Sequence, residues 1–134
     1  MDLLFLIDGS WSSGLENFQR SKDFIKRFTL SMRSSSAHVV LAVAQYASSV
    51  FMEIPAGRHG STGDFLAELE AVSFRGGVTR TGAALAHVAE STFHLEGGFR
   101  TDVPHVVVLL TGAKSKDPVG IQIKIGNYTY RYVV

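Results

Sequence analysis

The chain has 134 residues, 46% hydrophobic and 19% charged, with a formal net charge of +1 and no cysteine. That length supports one domain with a buried core, and the composition is globular rather than disordered. The near-neutral charge gives no electrostatic case for nucleic acid or an acidic membrane, and the absence of cysteine excludes disulfides, thiol catalysis and cysteine zinc sites.

Residues 3–7 (LLFLI) are a continuous apolar run, the mark of a strand covered on both faces. The run ends in Asp8-Gly9-Ser10-Trp11-Ser12, which sets one carboxylate and two hydroxyls at alternating positions of a strand tip and loop. Oxygen donors of this kind suit a hard divalent cation such as magnesium. Serines ahead of a helix also cap it, so both readings stand on local sequence. Residues 14–32 follow, with Leu15, Phe18, Ile25, Phe28 and Met32 at helical spacing and Arg20, Lys22, Asp23 and Lys26 expected to face water. After a polar break at 34–36, residues 38–46 (HVVLAVAQY) read as a second buried strand and 50–54 as a third, joined by a turn at 47–49.

Residues 55–63 are a loop rich in glycine and polar side chains. A short helix over 64–72 packs Phe65, Leu69 and Val72. Gly76 and Gly77 open a further loop, ahead of a helix over about 82–93 with Leu85, Val88 and Ala89 inward. Residues 105–110 (HVVVLL) form the last buried strand. Beyond Thr111 the pattern weakens, and 121–125 and 128–134 alternate like edge strands. Strands alternating with helices imply a parallel α/β sheet. Such sheets bind ligands outside the carboxyl ends of their strands, where Asp8 and Thr111 fall.

Other chemistries find little support. The five histidines are scattered with no HExxH or close pair, no GxSxG elbow is present, and no Gly-Lys-Ser/Thr follows the glycines near Asp8. An enzyme using Asp8 as a phosphoryl acceptor would need further carboxylates in that loop, and position 10 is serine. Asn127-Tyr128-Thr129 is a glycosylation sequon that chance also produces. No signal-peptide pattern opens the chain, and no apolar stretch approaches the ~20 residues that span a bilayer.

Taken in order, several segments resemble one family. Asp8-Gly9-Ser10-Trp11-Ser12 is similar to the metal-ion-dependent adhesion motif DxSxS of von Willebrand factor type A domains. Residues 18–28 resemble that family's first helix, and 39–46 its second strand, which ends in a Gln-Tyr pair. Gly76-Gly77-Val78-Thr79-Arg80-Thr81-Gly82-Ala83-Ala84-Leu85 resembles its glycine-pair loop and helix start, and 106–117 (VVVLLTGAKSKD) its strand and loop usually written V-V-L-T-D-G-x-S-x-D. The wording is closest to modules of fibril-associated collagens and related matrix proteins.

The resemblance implies an α/β, Rossmann-like fold: a mostly parallel central sheet flanked by helices, with the C-terminal third missing or atypical. Residues 2–119 would be a partial domain and 120–134 an atypical tail. It further implies a metal site of Asp8, Ser10, Ser12 and Thr79, holding Mg2+ or Mn2+ and open to a partner's carboxylate. Trp11 and Arg80 are the candidate partner contacts beside it, and Trp11 can equally pack against its own loop. The implied role is non-enzymatic: protein binding or adhesion in the extracellular matrix or at a cell surface, with extracellular location coming from the resemblance alone. One departure stands out. The family's second metal-site aspartate is Gly112 here, followed by Ala113, which halves the formal negative charge of the site and weakens it for a costly-to-dehydrate ion. A metal-independent structural or interaction domain is the alternative that this departure implies.

Overall fold

The computed structural model describes residues 1–32, 38–112 and 129–133, with backbone alone for 94–96 and 129–133. Strand β1 (Asp2–Asp8) is buried at every position and forms the middle of a five-stranded sheet. It pairs in parallel with β2 (Val40–Tyr46) on one side and β4 (His105–Leu110) on the other. Strand β3 (Val50–Ile54) pairs antiparallel with β2, and β5 (Thr129–Val133) pairs in parallel with β4, giving the order β3-β2-β1-β4-β5. The mostly parallel α/β architecture is the one the sequence pattern leads to. The terminal alternation at 128–134 becomes the edge strand β5, while the expected strand at 121–125, the boundary after 119, Asp117 and the break at 34–36 lie outside the described residues.

Successive side chains of a strand point to opposite faces, so β1 supplies two cores at once. Leu3, Phe5 and Ile7 face helix α1 (Gly14–Ser31) and helix α2 (Thr62–Ala71), where Phe18, Ile25, Phe65 and Leu69 close over them. Leu4 and Leu6 face helix α3 (Thr81–His87) and the segment after it, against Ala84, Leu85, Val88 and Phe93. Two covered faces explain why this strand is apolar without alternation. Register then sets the upper edge: Asp8 lies opposite Tyr46, and Ile7 opposite Leu110, so Asp8, Tyr46 and Thr111 end in one row.

Three expectations need correction. The helix expected over 82–93 is α-helical only to His87, and Val88–Glu96 is wound as a π-helix, its last turn closed by the Gly97 N–H on the Thr92 carbonyl at 3.0 Å. Wide turns of this kind depart from the tighter spacing that apolar periodicity reports. Leu15 does not join the apolar face of α1 and is 56% exposed. Lys22, expected in water, is 4% exposed. Its ammonium donates to the carbonyls of Glu70 (2.8 Å) and Val72 (3.0 Å) at the end of α2, and lies 5.8 Å from the Phe18 ring centre. A cation at a helix C-terminus satisfies carbonyls that have no intrahelical donor and complements the helix dipole.

Lys22→Ala removes the donor shared by two carbonyls and is expected to cost about 1–3 kcal/mol of folding stability. The urea midpoint measures it, and an unchanged midpoint would mean that water serves those carbonyls equally well.

Candidate functional site

Asp8 emerges at the carboxyl end of β1, 1% exposed. A buried carboxylate needs donors, and it has them from two directions. The Ser10 N–H donates to Oδ1 at 3.0 Å, and the Thr111 hydroxyl, just past β4, donates to Oδ2 at 2.7 Å. Ser10 is itself fully buried, and its hydroxyl oxygen accepts from the Thr79 hydroxyl (2.7 Å) and from the Ser13 N–H (3.2 Å). Asp8, Ser10 and Thr79 are thus brought into one hydrogen-bonded cluster, although Ser10 and Thr79 lie 69 residues apart. Ser12 stands on the same turn with its side chain exposed.

The loops are held by backbone as well. Gly76 N–H donates to the Gly9 carbonyl (2.8 Å), Trp11 N–H to the Gly77 carbonyl (2.9 Å), and Arg80 N–H to the Ala47 carbonyl (3.1 Å). Trp11 lies edge-on to Phe74 at 5.5 Å, and Phe74 in turn to Phe18. One side of the indole therefore packs on its neighbours, while the residue as a whole is 70% exposed. Gly76 has φ +80, and a Cβ there would lie 2.3 Å from the indole. That position requires glycine on two counts.

Gln45, Tyr46 and Thr111 complete the support. The Gln45 amide donates to the Ser73 carbonyl (2.9 Å) and accepts from the Arg75 N–H (2.9 Å), fixing the loop that leads to Thr79. Its signal in the sequence is one amide in an otherwise apolar strand. The Tyr46 hydroxyl lies 3.0 Å from that of Thr81, joining β2 to the start of α3. Burial pushes the Tyr46 phenol up to about 12; hydrogen bonds with Thr111 and Thr81 act against the rise, and the Asp8 carboxylate adds to it.

The donor set is all oxygen, which fits a hard cation in kind. It offers one carboxylate, and among the described residues no group of three or more His, Cys, Asp or Glu side chains is placed to hold a metal. A Cβ on Gly112 would lie 2.5 Å from the Asn17 amide nitrogen and 3.2 Å from the Ser13 hydroxyl. Asn17 donates to the Ser13 carbonyl at 2.9 Å. Its amide therefore fills the space that a side chain at 112 would enter.

Two outcomes follow. Gly76→Ala is expected to cost about 1–3 kcal/mol through backbone strain and to shift the emission of Trp11, the chain's single tryptophan; unaltered emission would show that the indole does not rest on this loop. The second concerns pH. The folded-state pKa of Tyr46 lies above the ordinary 10.0, so its contribution is complete below that value and is lost as pH rises toward 12. Urea unfolding between about pH 9 and pH 11 should show a flatter decline in Tyr46→Phe than in the parent.

The sequence pattern of the von Willebrand factor type A domain matches residues 2–130. The von Willebrand factor A domain-containing protein 2 of Xenopus laevis is 39% identical over 122 residues, 89% of this chain and 15% of that protein. The collagen alpha-1(XX) chain of Mus musculus is 32% identical over 124 residues, 92% of this chain and 9% of that protein. The chain thus spans a small part of the length of both relatives. A solved structure of proximal thread matrix protein 1 from the mussel byssus, with a zinc-occupied MIDAS motif, aligns with a TM-score of 0.81 at 28% identity, over 98% of this chain and 37% of that one. Matching pattern, relatives and architecture agree: the chain belongs to the von Willebrand factor type A domain family.

Proposed function

We propose that the domain is a non-enzymatic protein-binding module of the extracellular matrix, engaging a matrix or cell-surface protein through the face that bears Asp8, Ser10, Ser12, Thr79, Trp11 and Arg80. The observation that carries this reading is the convergence of three loops on the buried Asp8–Ser10–Thr79 cluster, beside a 70% exposed tryptophan. Exposed tryptophans on rigid loops are frequent anchors of protein interfaces. The collagen and thread-matrix relatives support an extracellular setting and a binding role. In this reading residues 2–119 form the family-like part and 120–134 an atypical tail.

Within the same face, Asp8, Ser10, Ser12 and Thr79 are the residues that would hold Mg2+ or Mn2+, a cation that would lend the face a point of attachment for a partner's carboxylate. The site is weak for such an ion. It has one carboxylate where Gly112 replaces the second, and Asn17 stands in the vacated space. The second reading, binding without metal, is favoured by that observation.

A thermal melt in chelator and then in millimolar Mg2+ or Mn2+ separates the two readings, because a ligand of the native state raises stability by RT ln(1 + [L]/Kd). The expected outcome is little shift for the parent and a clear upward shift for the pair Gly112→Asp with Asn17→Ala. Equal shifts in parent and variant would mean that the single-carboxylate site binds cation fully, and the weakened-site reading would be wrong.

A further inference from the structure

We propose that the groove between the β2–β3 turn and the start of α3 seats an acidic segment of the partner protein, gripped by Arg80 with no bridging cation. This rests on the reading of the upper face as the binding face, and names the chemistry of what binds there. The groove measures about 310 Å³, with Ser48, Ser49, Arg80, Ala83 and His87 among its walls.

The argument begins with how the arginines are used. Arg20 pairs with Glu16, Arg58 with Glu68, Arg75 with Glu53 and Arg100 with Asp2, while Arg27 donates to the Asp23 carbonyl. Among the arginines with described side chains, Arg80 alone has no carboxylate or carbonyl partner for its guanidinium among the described residues. Its backbone, by contrast, is fixed. The N–H donates to the Ala47 carbonyl, and both sequence neighbours, Thr79 and Thr81, are buried. A guanidinium on a rigid base, unspent among the described residues, is matched in charge and shape to a carboxylate, which it binds through two parallel hydrogen bonds.

The charge balance of the face points the same way. Among the described residues Asp8 is the one carboxylate in its loops, is buried, and has both oxygens engaged by Ser10 and Thr111. Arg75 is neutralised by Glu53. Among the described residues, what this face offers an approaching molecule is the positive charge of Arg80. An anion therefore meets attraction where a divalent cation meets a single shielded charge. The partner segment can also use apolar contacts at the rim. Val78 is 47% exposed, its N–H donates to the Ser48 hydroxyl that lines the groove, and Trp11 is tied to the adjoining Gly77.

The test is an NMR titration of the 15N-labelled chain, in chelator, with an acetylated Gly-Glu repeat peptide and its Gly-Gln counterpart. The acidic peptide should shift the amides of Ser48, Ser49, Arg80 and Ala83, and the neutral one should not. Arg80→Gln should weaken binding at least about threefold, the scale of one exposed charge pair, and added salt should weaken it further. Arg58→Gln, outside the groove lining and paired with Glu68, should leave it unchanged. Absence of shifts in chelator, or equal binding by Arg80→Gln, overturns the inference. Shifts that appear only with Mg2+ and vanish in Asp8→Asn overturn it too, while leaving the upper face as the binding face with a bridging cation. Shifts confined to the opposite end of the sheet overturn both.

Discussion

A carboxylate buried at the tip of the central strand has to be satisfied by donors from elsewhere, and the upper half of this domain is arranged around that demand. Asp8 cannot be solvated by bulk water at 1% exposure, so it recruits the next loop through Ser10 N–H and the neighbouring strand end through Thr111. Ser10 then recruits Thr79 from the far side of the sheet. Each link removes one buried polar group from the list of costs. The result is a set of loops whose relative positions are held by hydrogen bonding together with the Trp11–Phe74 contact.

Much of this was legible in the sequence, for physical reasons that differ between elements. β1, β2 and β4 are short apolar runs, and burial on both faces leaves no other reading for them in an alternating chain. Asp8 and Ser10 stood out because polar side chains at the end of such a run are conspicuous, whereas Thr79 was legible only through the resemblance of its glycine-pair loop. Lys22 was misread because its charge outweighed its position. It lies on the same face as Phe18 and Ile25, and what admits it to the interior is a pair of carbonyls 48 and 50 residues away. No local pattern announces such partners. The π-helical stretch was hidden for a related reason, since its apolar residues also satisfy an ordinary helical period over so short a length.

Gly112 shows how a substitution read from a motif gains meaning from its surroundings. In sequence it is the absence of a charge. In the fold it is also the presence of Asn17, whose amide occupies the neighbouring space and caps the Ser13 carbonyl. The space beside Gly112 is therefore taken by a neutral amide.

The central strand has a further property. At its lower end Asp2, also fully buried, is clamped by Arg100 through the guanidinium and the backbone N–H, as Asp8 is clamped at the upper end. Between the two clamps β1 is bonded in parallel on both flanks. Tension along that strand loads both ladders in shear, so their bonds share the force and must yield together, with a charged anchor to break at either end. Strand β1 is thereby tied at both ends by buried, hydrogen-bonded carboxylates and along both flanks by parallel ladders.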